Sequence, residues 1–92
     1  MEDRKKDMAT NYGMISFMDQ EIGKILSTLD RLQIADNTLV VFTTDHGHFL
    51  GQHGLIAKGA WHYEDMIRVP FIVRYPGRVP AGEASSALQS LV

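Results

Sequence analysis

Cysteine is missing from all 92 residues. That excludes a disulfide framework, a thiolate nucleophile and any thiolate metal ligand, and it leaves the compartment open. Long apolar runs are missing too, the longest being far short of the roughly 20 residues a membrane span requires. The opening "MEDRKKDMATNYG" carries charge but no apolar core of a secretory signal. Charge of one sign is scarce: nine Lys and Arg against 11 Asp and Glu leave a net charge of −2. With basic residues scattered among acids, neither a nucleic-acid partner nor a membrane partner is expected. Localisation stays unassigned.

What remains is ordinary in bulk, with 45% hydrophobic and 22% charged residues, the balance of a globular chain. A chain of this length buries only about 60–65% of its unfolded surface, enough for one modest core.

Three elements are legible. From Met14 to Leu32 the residues Ile15, Met18, Ile22, Ile25, Leu29 and Leu32 recur at three- and four-residue steps, widened by Leu26. This predicts a helix over about 14–32 with one apolar face. "QIADNT" supplies a polar break suited to a tight turn. "TLVVFTT", residues 38–44, is β-branched and aromatic without clean alternation, the pattern of a strand buried on both faces of a parallel sheet. "VPFIVRYPG" has the same character and predicts a second strand over about 69–75, closed by Pro76-Gly77. After it, a weak helix capped by Ser85 or Ser86 is expected. The fold class is therefore α/β: a long helix followed by buried strands of a mostly parallel sheet. Two strands and one helix cannot cover both faces of such a sheet, so the chain reads as one piece of a larger domain.

Between the strands lies the loop 45–68, which holds all four histidines. In open α/β sheets, ligands gather at the carboxyl ends of strands, where Asp45 and His46 fall. A carboxylate followed by an imidazole offers two ligands to one divalent cation, and Gly47 would let the backbone turn sharply away. The plainer reading is a turn whose Asp bonds its own backbone. Lys58 suits an anionic substrate, or is simply solvated. His53 either positions a leaving group or orders the glycine loop. His48 and His62 have no assignment, and Trp61 and Tyr63 read as packing. Glu64, Asp65 and Arg68 are expected to form a local ion-pair network. No GxxxxGK[ST], HExxH or GxSxG occurs, which leaves no support for a phosphate loop, a zincin or a hydrolase elbow.

"VVFTTDHGHFLGQHGLIAKGAWHYEDMIRVPFIVRYPG", together with "YGMISFMDQEIGKILSTLDRLQIADN" before it, resembles the sulfatase family of the alkaline-phosphatase-like hydrolases. The resemblance covers the chain from about Tyr12. It implies an α/β sandwich around a mostly parallel sheet, of which residues 1–92 would be a partial catalytic domain. It implies that Asp45 and His46 ligate one divalent metal, Ca²⁺ in many sulfatases, although imidazole suits Mn²⁺ or Zn²⁺ better. It makes Lys58 the contact to a sulfate-ester substrate, a catalytic role worth roughly 3–4 kcal/mol. His53 becomes an accessory catalytic residue, and Glu64 and Arg68 become supports of the site. The formylglycine that sulfatases build within C/S-x-P-x-R has no counterpart, since there is no Cys and no Ser followed by x-P-x-R. The isolated chain is accordingly expected to be inactive. A phosphate or phosphonate ester hydrolase of the same superfamily is the alternative reading, and a non-catalytic interaction fragment is another. Exposed sheet edges make self-association an expectation.

Overall fold

The charged opening stretch is helical. In the computed structural model, which describes residues 2–90, helix α1 runs Glu2–Arg31, starting some twelve residues before the apolar stripe begins. Glu, Asp, Arg, Lys, Met and Ala dominate residues 2–9. Most of these are good helix formers, and they extend the helix without an apolar face to announce it. The stripe itself is used unevenly. Ile22, Leu26 and Leu29 are half-buried, while Ile15, Met18, Ile25 and Leu32 stay exposed.

The helix ends in a Schellman arrangement. Ile34 N–H donates to Leu29 O at 3.1 Å and Gln33 N–H to Asp30 O at 3.0 Å. Gln33 sits at φ 55, the left-handed position usually given to glycine. A 3₁₀ turn, Ala35–Asn37, then leads into strand β1, Val40–Thr43.

Beyond β1 the chain makes two very short strands, β2 (Phe49–Leu50) and β3 (Ile56–Ala57), which pair antiparallel. A single helical turn, α2, spans Glu64–Ile67, and strand β4 spans Phe71–Arg74. The two apolar runs are therefore strands, trimmed by one to two residues at each end.

Their sense differs from the expected one. β1 and β4 pair antiparallel, with Val40 opposite Arg74 and Thr43 opposite Phe71. The loop leaves and returns at the same end of the sheet, and a chain that does so can only run back antiparallel; a parallel neighbour needs a crossover to the opposite end. Nor are these strands buried: Val41, Phe71 and Ile72 are exposed. The expected carboxyl-terminal helix is also absent, for residues 83–90 form no helix. Ser85 Oγ instead accepts from Ala87 N–H at 3.1 Å. So short a segment cannot repay helix nucleation when its apolar Leu88 packs on nothing.

The core is small and lies in the loop, not under the sheet. Among the described residues only Phe49, at 1% exposure, and Met66, at 6%, are buried hydrophobics. α1 lies against β2, and Arg74 on β4 reaches Asp30 at the end of α1 at 3.6 Å. No helix among the described residues is long and apolar enough to cross a membrane.

Candidate functional site

β1 ends at Thr43, and the next three residues turn the chain so that Asp45 and His46 face each other. His46 Nε2 lies 3.7 Å from Asp45 Oδ2. The other ring nitrogen, Nδ1, is 2.7 Å from the carbonyl oxygen of Gly47. A carbonyl can only accept, so Nδ1 carries the proton and donates it. In the neutral ring, Nε2 then presents a lone pair toward a carboxylate oxygen. Two acceptors facing each other call for a proton or a cation between them.

Asp45 is 80% exposed, yet it is held. Thr44 Oγ1 donates to Asp45 Oδ1 at 3.3 Å and approaches His46 O at 3.5 Å. When His46 is protonated its charge lowers the Asp45 pKa below its ordinary value, and hydrogen bonds from the backbone and Thr44 add to this. Sequence reasoning missed Thr44. The Thr-Asp step at a strand end was the available signal, since a hydroxyl beside a carboxylate is a ready local donor.

Gly47 behaves differently from expectation. Its φ is not in the left-handed region occupied by Gly51, Gly54, Gly77 and Gly82, so the sharp turn is not its reason. It is required by close approach. Gly47 N–H donates to Met66 O at 2.8 Å, and a Cβ there would overlap the Asp65 carbonyl oxygen. The glycine thus brings α2 against the end of β1.

The expected network of Glu64, Asp65 and Arg68 is not formed. Glu64 and Arg68 are joined only through the backbone, Arg68 N–H donating to Glu64 O at 2.9 Å. The side chains of both are exposed. Asp65 turns instead to His53, its Oδ2 lying 3.4 Å from Nε2. The imidazole of His53 stacks on Tyr63, with centroids 4.0 Å apart, and Tyr63 meets the buried Phe49 edge to face at 6.2 Å. Contacts of this kind order a loop, whatever His53 does toward a substrate. Lys58 is exposed and has no hydrogen-bond or ion-pair partner among the described residues. His48 borders an open groove of about 310 Å³ with Arg4, Asp7 and Asn11 of α1. His62 is exposed.

Among the described residues, no group of three or more His, Asp or Glu converges as a metal site. Asp45 and His46 stand as a pair, one oxygen and one nitrogen donor.

The sulfatase family profile matches residues 1–92. The chain is 44% identical over 71 residues, 77% of its length, to an N-acetylglucosamine-6-O-sulfatase of Bacteroides thetaiotaomicron. It is 39% identical over 75 residues, 82% of its length, to the iduronate 2-sulfatase of Homo sapiens. To an arylsulfatase of Clostridium perfringens it is 33% identical over 88 residues, 96% of its length. These alignments span 12%, 14% and 18% of the respective relatives. No solved structure matches the chain. With residues 1–92 matched throughout and relatives aligned across most of its length, the chain belongs to the sulfatase family.

Proposed function

We propose that this chain supplies the metal-ligating strand end and the anion-contacting lysine of a sulfuric ester hydrolase. The observation that carries the reading is the facing of Asp45 Oδ2 and His46 Nε2 at 3.7 Å, with His46 Nδ1 committed to the Gly47 carbonyl. That donor set fits one divalent cation, Asp45 giving an anionic oxygen and His46 a neutral nitrogen whose tautomer is fixed by its backbone bond. Ca²⁺ is the proposed ion, with Mn²⁺ and Zn²⁺ as the competitors that imidazole favours. Once bound, the metal supplies positive charge to a sulfate oxygen.

The chain's own residues do the rest. Lys58, exposed and without a partner among the described residues, presents its ammonium to the sulfate group and stabilises negative charge as it shifts toward the leaving oxygen. Thr44 holds the Asp45 carboxylate in place. Glu64 opens α2 and Arg68 closes it, supports of the loop that carries Lys58. The covalent step belongs to a formylglycine motif that is not among these 92 residues. The mostly parallel sandwich of the family belongs with such a complete domain, in which both faces of the β1–β4 pair would be covered.

Sulfate is favoured over phosphate because the relatives named above are all sulfatases by description. Isothermal titration of the chain with Ca²⁺ and with Mn²⁺, beside an Asp45→Ala variant, tests the pair. Dissociation constants on the order of 10⁻³ M are expected from two protein ligands, with binding lost in the variant. Identical binding by both proteins would remove the ligand assignment.

A further inference from the structure

Lys58 sits midway along a loop whose base is clasped. His53, five residues before it, and Tyr63, five after it, stack ring on ring with centroids 4.0 Å apart and planes 11° from parallel. The edge of the same imidazole is paired with Asp65, Nε2 to Oδ2 at 3.4 Å. His53 takes φ 53 and ψ 20 to make these contacts, a left-handed conformation that a residue with a side chain holds only when its surroundings compel it. Ala57, at φ 68, turns the chain out of β3 immediately before Lys58.

The clasp is tied at both ends to fixed structure. Tyr63 meets Phe49, the most buried side chain among the described residues, edge to face. Asp65 lies on α2, whose Met66 carbonyl receives the Gly47 amide at 2.8 Å, one residue from His46. Among the described residues Lys58 has no side-chain partner, so the base of the loop decides where its charge stands.

We infer that His53, Tyr63 and Asp65 form a clasp that positions Lys58 relative to Asp45 and His46. His53 and Asp65 are then positioning residues, the imidazole being committed on one face to Tyr63 and at Nε2 to Asp65. A point charge stabilises a developing anion in proportion to how well it is held before the anion arrives. An unclasped loop would spread the ammonium over many positions and charge that ordering cost to each binding event. The inference rests on reading Lys58 as the sulfate contact.

The test uses the ¹⁵N-labelled 92-residue chain. It compares the backbone order parameter at Lys58, the shift of the Lys58 ammonium on adding inorganic sulfate, and the amide spectrum of α1. Asp65→Ala and His53→Ala should drop the Lys58 order parameter from about 0.85 to below about 0.6 and weaken sulfate binding about threefold to tenfold, with α1 unchanged. His53→Phe keeps the stack and should restore part of the order, and Tyr63→Phe should match the parent chain. Equal order at Lys58 in the parent, Asp65→Ala and His53→Ala proteins would overturn the clasp. So would a loss that spreads equally through α1, which would make these residues general packing. If sulfate shifts nothing in the parent chain, the sulfate reading of Lys58 falls, while the order parameters still decide the clasp.

Discussion

Gly47 and Asp65 meet backbone to backbone: a Cβ on the glycine would stand 2.8 Å from the Asp65 carbonyl carbon and 3.1 Å from Met66 Cα. Replacing Gly47 by Ala must therefore push α2 away from the end of β1 and lengthen the Gly47–Met66 hydrogen bond. We expect Gly47→Ala to lose about 1–3 kcal/mol, read by urea denaturation, and to disperse the amide signals of residues 63–67. Unchanged stability with unchanged signals would refute the close approach.

A second prediction concerns the end of α1. Gln33 pays for its left-handed φ of 55, and glycine would relieve that strain at some cost in unfolded-chain entropy. Gln33→Gly should stabilise by about 0.5–1 kcal/mol, raising the thermal midpoint by about 2–8 °C. A lower midpoint would contradict the Schellman assignment.

The pH dependence of Asp45 has a definite sign. Its folded pKa lies below the ordinary 3.8, chiefly through the charge on His46. In the window between those two values the unfolded chain binds more protons than the folded one. The contribution of Asp45 to stability is thus present above 3.8 and lost as pH falls through the lowered value. Carboxyl ¹³C titration of metal-free protein should show the Asp45 midpoint rising in His46→Gln. A midpoint that stays put would show that His46 is not the cause.

How much of this was legible beforehand depends on what each residue signals locally. The stripe from Ile15 to Leu32 and the runs around Val40 and Phe71 announced their elements, because periodicity and β-branching act over a few residues. Strand direction did not announce itself. Apolar runs without alternation anticipate cover on both faces, and these residues alone do not provide it. The Asp45–His46 pair was visible because the two are adjacent. The His53–Asp65 pair was not, since Asp65 had closer charged neighbours in Glu64 and Arg68, and only the return of the chain through Tyr63 selects the histidine.

Catalysis can be checked directly. The 92 residues should not hydrolyse an aryl sulfate above buffer, with or without Ca²⁺, because no residue in them supplies the family's nucleophile. Turnover that required both metal and Lys58 would overturn that expectation.

Self-association should follow the free edge of β1. Pro70 and Pro76 flank β4 and blunt its outer edge, whereas Val40–Thr43 has no such guard. Sedimentation velocity should show concentration-dependent growth of the chain that Val41→Lys suppresses. Equal growth in the variant would place the contact elsewhere.

The pairing of Thr43 with Phe71 closes the neck of everything between them. Residues 44–70 leave and re-enter the hairpin at neighbouring positions, about 5 Å apart in any antiparallel pair. Such an excursion behaves as a cassette. Residues added at the exposed Gly59–Ala60 step should cost about 0.6 kcal/mol per doubling of length and leave the Thr43–Phe71 pairing in place. The Thr43–Phe71 pairing thus fixes both ends of the excursion, and what lies beyond Lys58 can change in length without altering the register of the strands that carry it.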